Sequence, residues 1–78
     1  MTFRPGQLVR FNTDSLGCLD SPNGASFNKH IVNSGDTGTV WGVHPELSQW
    51  YIVEVQLDNP TRTVFVPVHP MALNPIEG

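Results

Sequence analysis

The 78-residue chain carries seven acidic and four basic side chains, for a net charge of -3. A chain of this length makes one domain with a modest core, burying roughly 60–65% of its unfolded surface, which argues against a deep, water-excluded active site. The charge distribution also excludes a basic face, because residues 1 to 39 set Arg4, Arg10 and Lys29 against Asp14, Asp20 and Asp36, while residues 40 to 78 set Arg62 alone against Glu46, Glu54, Asp58 and Glu77.

Taken in chain order, Phe3-Arg4-Pro5-Gly6-Gln7 is a turn signal. Leu8 to Asn12 follows as the first strand, with Val9 and Phe11 on one face and Leu8 and Arg10 on the other. From Thr13 to Asn33 breakers dominate (Ser21-Pro22-Asn23-Gly24, Asn28, Asn33-Ser34-Gly35), which predicts a loop of about twenty residues. Loops of that length are usually functional or mobile, and Ser15 to Lys29 is expected to be the most mobile part of the domain. Phe27, Ile31 and Val32 are the side chains that can pin this loop down.

Gly35-Asp36-Thr37-Gly38-Thr39-Val40 then opens the longest strand-like pattern. Two glycines three apart allow a tight turn and a close backbone approach. The residues beyond them, Thr39 to His44 and Trp50 to Leu57, are of the β-branched and aromatic types that suit a half-buried pleated surface. A central hairpin is predicted from Asp36 to Leu57, turning through Pro45-Glu46-Leu47-Ser48. A tighter turn at Asp58-Asn59-Pro60-Thr61 leads to a strand over Arg62 to Val66. Pro67, Pro70 and Pro75 interrupt the tail, so a single 3₁₀ turn is expected within Val68 to Ala72 and a short closing strand over Leu73 to Ile76. The prediction is an all-β domain: a five-stranded antiparallel SH3-like barrel with one long loop between strands 1 and 2 and a short 3₁₀ turn before the last strand. Its core is expected to comprise Val9, Phe11, Val40, Tyr51, Val53, Val55, Leu57, Val64 and Val66.

The Gly35 to Val40 stretch resembles the core of a KOW-type element, and Phe3 to Arg10 resembles the aromatic-x-x-Gly-x-x-Val opening of many SH3-like barrels. With the final Leu73-Asn74-Pro75, their spacing is similar to the electron-transport accessory group, which holds a small accessory protein of photosystem I, the variable chain of ferredoxin-thioredoxin reductase, the nitrile hydratase β-subunit and certain nitrogenase accessory proteins. The resemblance implies a barrel and an accessory role beside a redox or metalloenzyme complex.

Little in the chain points to chemistry. His30, His44 and His69 are too far apart to form a local metal signature, and a convergence of Cys18, Asp14, Asp20 and His30 would need the loop to fold around it, so neither a metal nor another cofactor is expected. No acid-base pair or activated nucleophile can be named, so no enzyme is expected. His44-Pro45 and His69-Pro70 read as turn chemistry. The single Cys18 cannot form an internal disulfide, and Met1 to Phe11 lacks an apolar h-region, so a cytoplasmic protein without a membrane span is expected. Trp41, Trp50, Tyr51 and Phe65 are able to stack on bases, but four scattered basic residues do not make a backbone-tracking groove.

Strand register locates the remaining candidate. If Val40 faces inward opposite Val53, then Gly42 lies opposite Tyr51, Trp41 opposite Ile52 and Val43 opposite Trp50. Trp41, Val43, Trp50 and Ile52 then gather on the outside of one antiparallel pair, either covered by the long loop or the C-terminal tail or open as a protein-binding surface for a partner or a second copy of the chain. A slip of one residue would turn that set inward, so the prediction depends on register.

Overall fold

In the computed structural model, which describes residues 2–21, 28–58 and 61–76, the chain forms one antiparallel sheet of seven strands. They are β1 (Leu8–Phe11), β2 (Ser15–Leu19), β3 (Lys29–Val32), β4 (Thr37–Val43), β5 (Tyr51–Leu57), β6 (Arg62–Val68) and β7 (Leu73–Pro75), with a 3₁₀ turn at Pro70–Ala72 before the last. Their order across the sheet is β3-β2-β6-β5-β4-β1-β7, with no ladder joining β3 to β7 among the described residues. The domain is thus a small all-β sheet, compatible with a barrel-like fold but with seven strands instead of five and not closed. No helix among the described residues is long and apolar enough to cross a membrane.

The two extra strands come from the stretch expected to be a loop. Ser15–Leu19 pairs with Lys29–Val32, and through Cys18↔Phe65 and Leu19↔Val64 the hairpin also joins β6. Breaker residues at its ends and centre hide it, because each strand is only four or five residues long. Pro22 to Phe27, including the predicted Ser-Pro-Asn-Gly turn, lie outside the described residues, as do Asn59 and Pro60. Pro67 does not end β6. The strand continues through Ile52↔Pro67 to Val68, at a point where β5 is its ladder partner and β2 no longer pairs with it, so a missing N–H is tolerated.

The glycine motif works as its spacing implies. Gly35 takes a φ of +97°, and the turn closes through an Asp36 N–H to Asn33 carbonyl bond of 3.0 Å and an Asn33 N–H to Asp36 carboxylate bond of 3.0 Å. At Gly38 a Cβ would stand 2.7 Å from the Glu54 carbonyl oxygen and 2.8 Å from Val53 Cγ1, so β4 and β5 approach closely only because that side chain is absent.

Period-2 alternation then builds the core. Val9, Phe11, Val40, Tyr51, Val53, Val55, Val64, Val66 and Val68 share one buried cluster, which Val32 from one end of the sheet and Leu73 from the other also join. One cluster touching both ends requires a strongly curled sheet. Each fully buried valine contributes about 1.5–3 kcal/mol. Leu57, expected inside, is only partly buried at the rim. Phe3 packs edge-on against Tyr51 at 5.5 Å and its N–H donates to the Tyr51 hydroxyl at 3.1 Å, which draws the N-terminal segment over one end of the core.

Candidate interaction surface

The outer face is decided by a β-bulge. Val40↔Val53 pairs as expected, but the register then shifts so that Gly42 lies opposite Ile52 and Val43 opposite Tyr51. Trp41 is the extra residue, and everything after it turns by one position. This corrects the four-residue cluster. Trp41 stays on the outer face, where its ring meets Phe65 edge-on at 6.0 Å across β5, and is 48% exposed. Ile52 shares that face but is 2% exposed, seated beside Pro67 and outside the main core. Val43 is turned to the side of Tyr51, at the rim, where it remains 69% exposed. Trp50 is half-buried with its ring against His69 at 6.0 Å. The structure therefore keeps Trp41 and Ile52 on one face and turns Val43 away from them, while Trp50 packs against His69 just beyond the end of β5.

The missed hairpin adds to what remains. Leu16 and Ile31 pair directly, both point away from the core, and they are 56% and 59% exposed. Past the last β2–β6 pair, Cys18↔Phe65, Leu16 falls level with Pro67 without a ladder bond to it, and Pro67 pairs with Ile52, which pairs with Gly42 next to Trp41. The result is an apolar row, Ile31-Leu16-Pro67-Ile52-Trp41, crossing five adjacent strands over about 19 Å at the usual strand spacing. The sequence did contain a signal for its far half, since Leu16 and Ile31 stand in two short apolar runs either side of a turn motif. A parallel row on the same face is polar at its ends, with Lys29 and Cys18 on the hairpin and Glu54 and Thr39 on the meander.

The titratable residues hold structure together instead of converging. Cys18 is buried on the outer face with Lys29 Nζ donating to its sulfur at 3.0 Å, while His30 lies opposite Gly17 on the other face. Asp14 accepts the Ser34 N–H at 2.8 Å. Asp20, at a φ of +57°, closes the β2–β6 junction by pairing with the Arg62 guanidinium, which holds its carboxyl below the ordinary carboxylate value. Backbone bonding to Thr63 acts in the same direction. His44 Nδ1 accepts the N–H groups of Glu46 and Leu47 at 3.0 and 2.9 Å, and His69 Nδ1 accepts that of Met71 at 3.1 Å. Both His-Pro dipeptides are thus turn caps. An open cleft of about 580 Å³, lined by Thr2, Gln49, Tyr51, His69 and Met71 among others, presents one imidazole, one phenol and one aliphatic hydroxyl. Among the described residues no group of three or more His, Cys, Asp or Glu could hold a metal ion.

Comparison with protein-family models, curated proteins and solved structures finds no match for this chain. The families named on the Gly35 and Phe3 motifs gain no support from it. The fold and surface define a small all-β sheet domain with an apolar row across its outer face.

Proposed function

We propose that the chain is a small non-catalytic protein-interaction module, an accessory subunit or adaptor of a larger complex, and that the partner docks on the outer face around Trp41. The half-exposed Trp41 ring at the end of an apolar row carries this reading. Tryptophan is over-represented among residues that supply binding energy, and the edge-on contact with Phe65 holds this ring in place. The alternative of a KOW-like nucleic-acid-binding barrel has less behind it. Arg62 is tied to Asp20 and Lys29 to Cys18, which leaves Arg4 and Arg10 as the other basic side chains.

The test is a photo-crosslinking amino acid placed at Trp41 in the native cell, with one at exposed Arg4 as control. A discrete adduct with one protein at position 41, absent at position 4, supports the reading. Adducts no different from the control, or retention of the purified chain by immobilised nucleic acid at moderate salt, overturn it.

A further inference from the structure

The row does not stop at the hairpin's last residue for want of apolar character; it stops because the sheet ends there. β3 is the terminal strand, paired on one side by β2 through Ser15↔Val32, Leu16↔Ile31, Gly17↔His30 and Cys18↔Lys29, with no ladder on its other side among the described residues. Its residues Lys29–Val32 contain no proline, and the β2–β3 register, with the Leu19 N–H bonded to the Asn28 carbonyl, leaves the backbone groups of Lys29 and Ile31 directed to the open side. The opposite edge differs. β7 has three residues and ends in Pro75, which lacks an N–H.

We propose that β3 pairs antiparallel with β3 of a second copy of the chain about a two-fold axis at Ile31, extending the outer apolar row of each copy into the other. The inference rests on the reading of the outer face as a protein interface and names the occupant of its β3 end. Three features single out a second copy. Only one of the two sheet edges offers a full ladder, so strand addition closes at a dimer and does not propagate into a filament. Sheet continuity requires outward residues to meet outward residues, which restricts the symmetric registers. Centring on Ile31 joins Leu16-Ile31 to its symmetry mate, sets His30 opposite the partner copy's valine at position 32, and sets Lys29 opposite its asparagine at position 33. No like charges face each other there. Centring on His30 would instead set two imidazoles against one another and place each Lys29 opposite an isoleucine. Lys29, held by Cys18, also directs its charge back along its own hairpin.

The test is sedimentation equilibrium on the purified full chain and on Ile31→Lys and Ile31→Glu. Both substitutions fall at an exposed position, and far-ultraviolet spectra matching the parent check that the fold survives. The parent should reach twice the chain mass as concentration rises to about 1 mM. Each variant alone should remain at the chain mass, because the new charge meets its own copy across the axis, while an equimolar mixture of the two should return to twice the chain mass. A parent that stays at the chain mass throughout, variants that still dimerise, or a mixture that fails to associate overturns the proposal. A monomeric parent with a specific Trp41 adduct in the cell would sink the second-copy inference alone, whereas a dimer without that adduct would sink the broader reading of Trp41.

Discussion

The meander β4–β5–β6 and the hairpin β2–β3 meet along one ladder but are secured by different means. The meander has three strands of seven residues whose valines interlock, with Val53, Val64 and Val66 fully buried. The hairpin has two strands of four and five residues, and it is attached by Val32 and Leu19 on the core side, a close fit of Gly17 against β6, and the Asp20–Arg62 pair at its end. One region carries stability in apolar area and the other in fit and a few polar contacts. Such contacts are individually weaker, so the hairpin is the part expected to open first.

Substitution at Gly17 should separate the two most. A Cβ there would run into Val64 and Val66 and stand 3.1 Å from the Phe65 carbonyl oxygen, so Gly17→Val should cost about 3 kcal/mol, near the upper end of the usual range for overpacking. Amide exchange should then become fast over residues 15–19 and 29–32 while β5 stays protected. Equal loss in β5 would make the two regions a single cooperative unit. Val53→Ala tests the other side of the comparison, removing methyl groups from the middle of the meander at a cost of about 1–3 kcal/mol, read as a fall in melting temperature with both regions lost together. A change indistinguishable from zero would contradict its burial.

The smallest effect belongs to the exposed clasp. Asp20 has a lowered pKa in the folded chain, so its contribution is present above the ordinary carboxyl value and is lost as pH falls through the lowered one. Asp20→Asn should therefore lower stability slightly at neutral pH and leave the chain closer to its parent in acid, below the ordinary carboxyl value. Parallel denaturation curves at the two pH values check this, and a constant difference between them would deny the pair any role.

The same division explains what could be read in advance. Val40, Val53, Val55, Val64 and Val66 alternate over long runs, so the meander, its core face and the Gly35 turn followed from residue types alone. β2 and β3 did not, because a strand of four or five residues bounded by glycine, asparagine and serine has the same composition as a loop, and pairing alone distinguishes them. The bulge had one mark, Gly42 isolated inside a strand pattern, and the extra residue beside it turns Val43 to the side of Tyr51 at the rim. Trp41 survived as a surface candidate since it directly follows Val40, whose pairing with Val53 is unchanged, and the shift re-faces only the residues after it. Leu16 and Ile31 were marked only by two short apolar runs either side of a turn motif, and the strand pairing is what sets them side by side.

The two His-Pro turns carry one more consequence. A ring nitrogen that accepts a backbone N–H holds a lone pair, so in their neutral forms His44 and His69 are each fixed as the tautomer with the hydrogen on Nε2. Nitrogen-15 spectra of the two rings should show matching signatures, Nδ1 pyridine-like and Nε2 pyrrole-like, and a ring of mixed tautomer would mean that its turn is uncapped. Each imidazole therefore keeps its one N–H on the nitrogen that the cap leaves unused, His69 in the lining of the cleft beside Tyr51 and His44 in the β4–β5 connection, so two rings far apart in the chain carry the same donor.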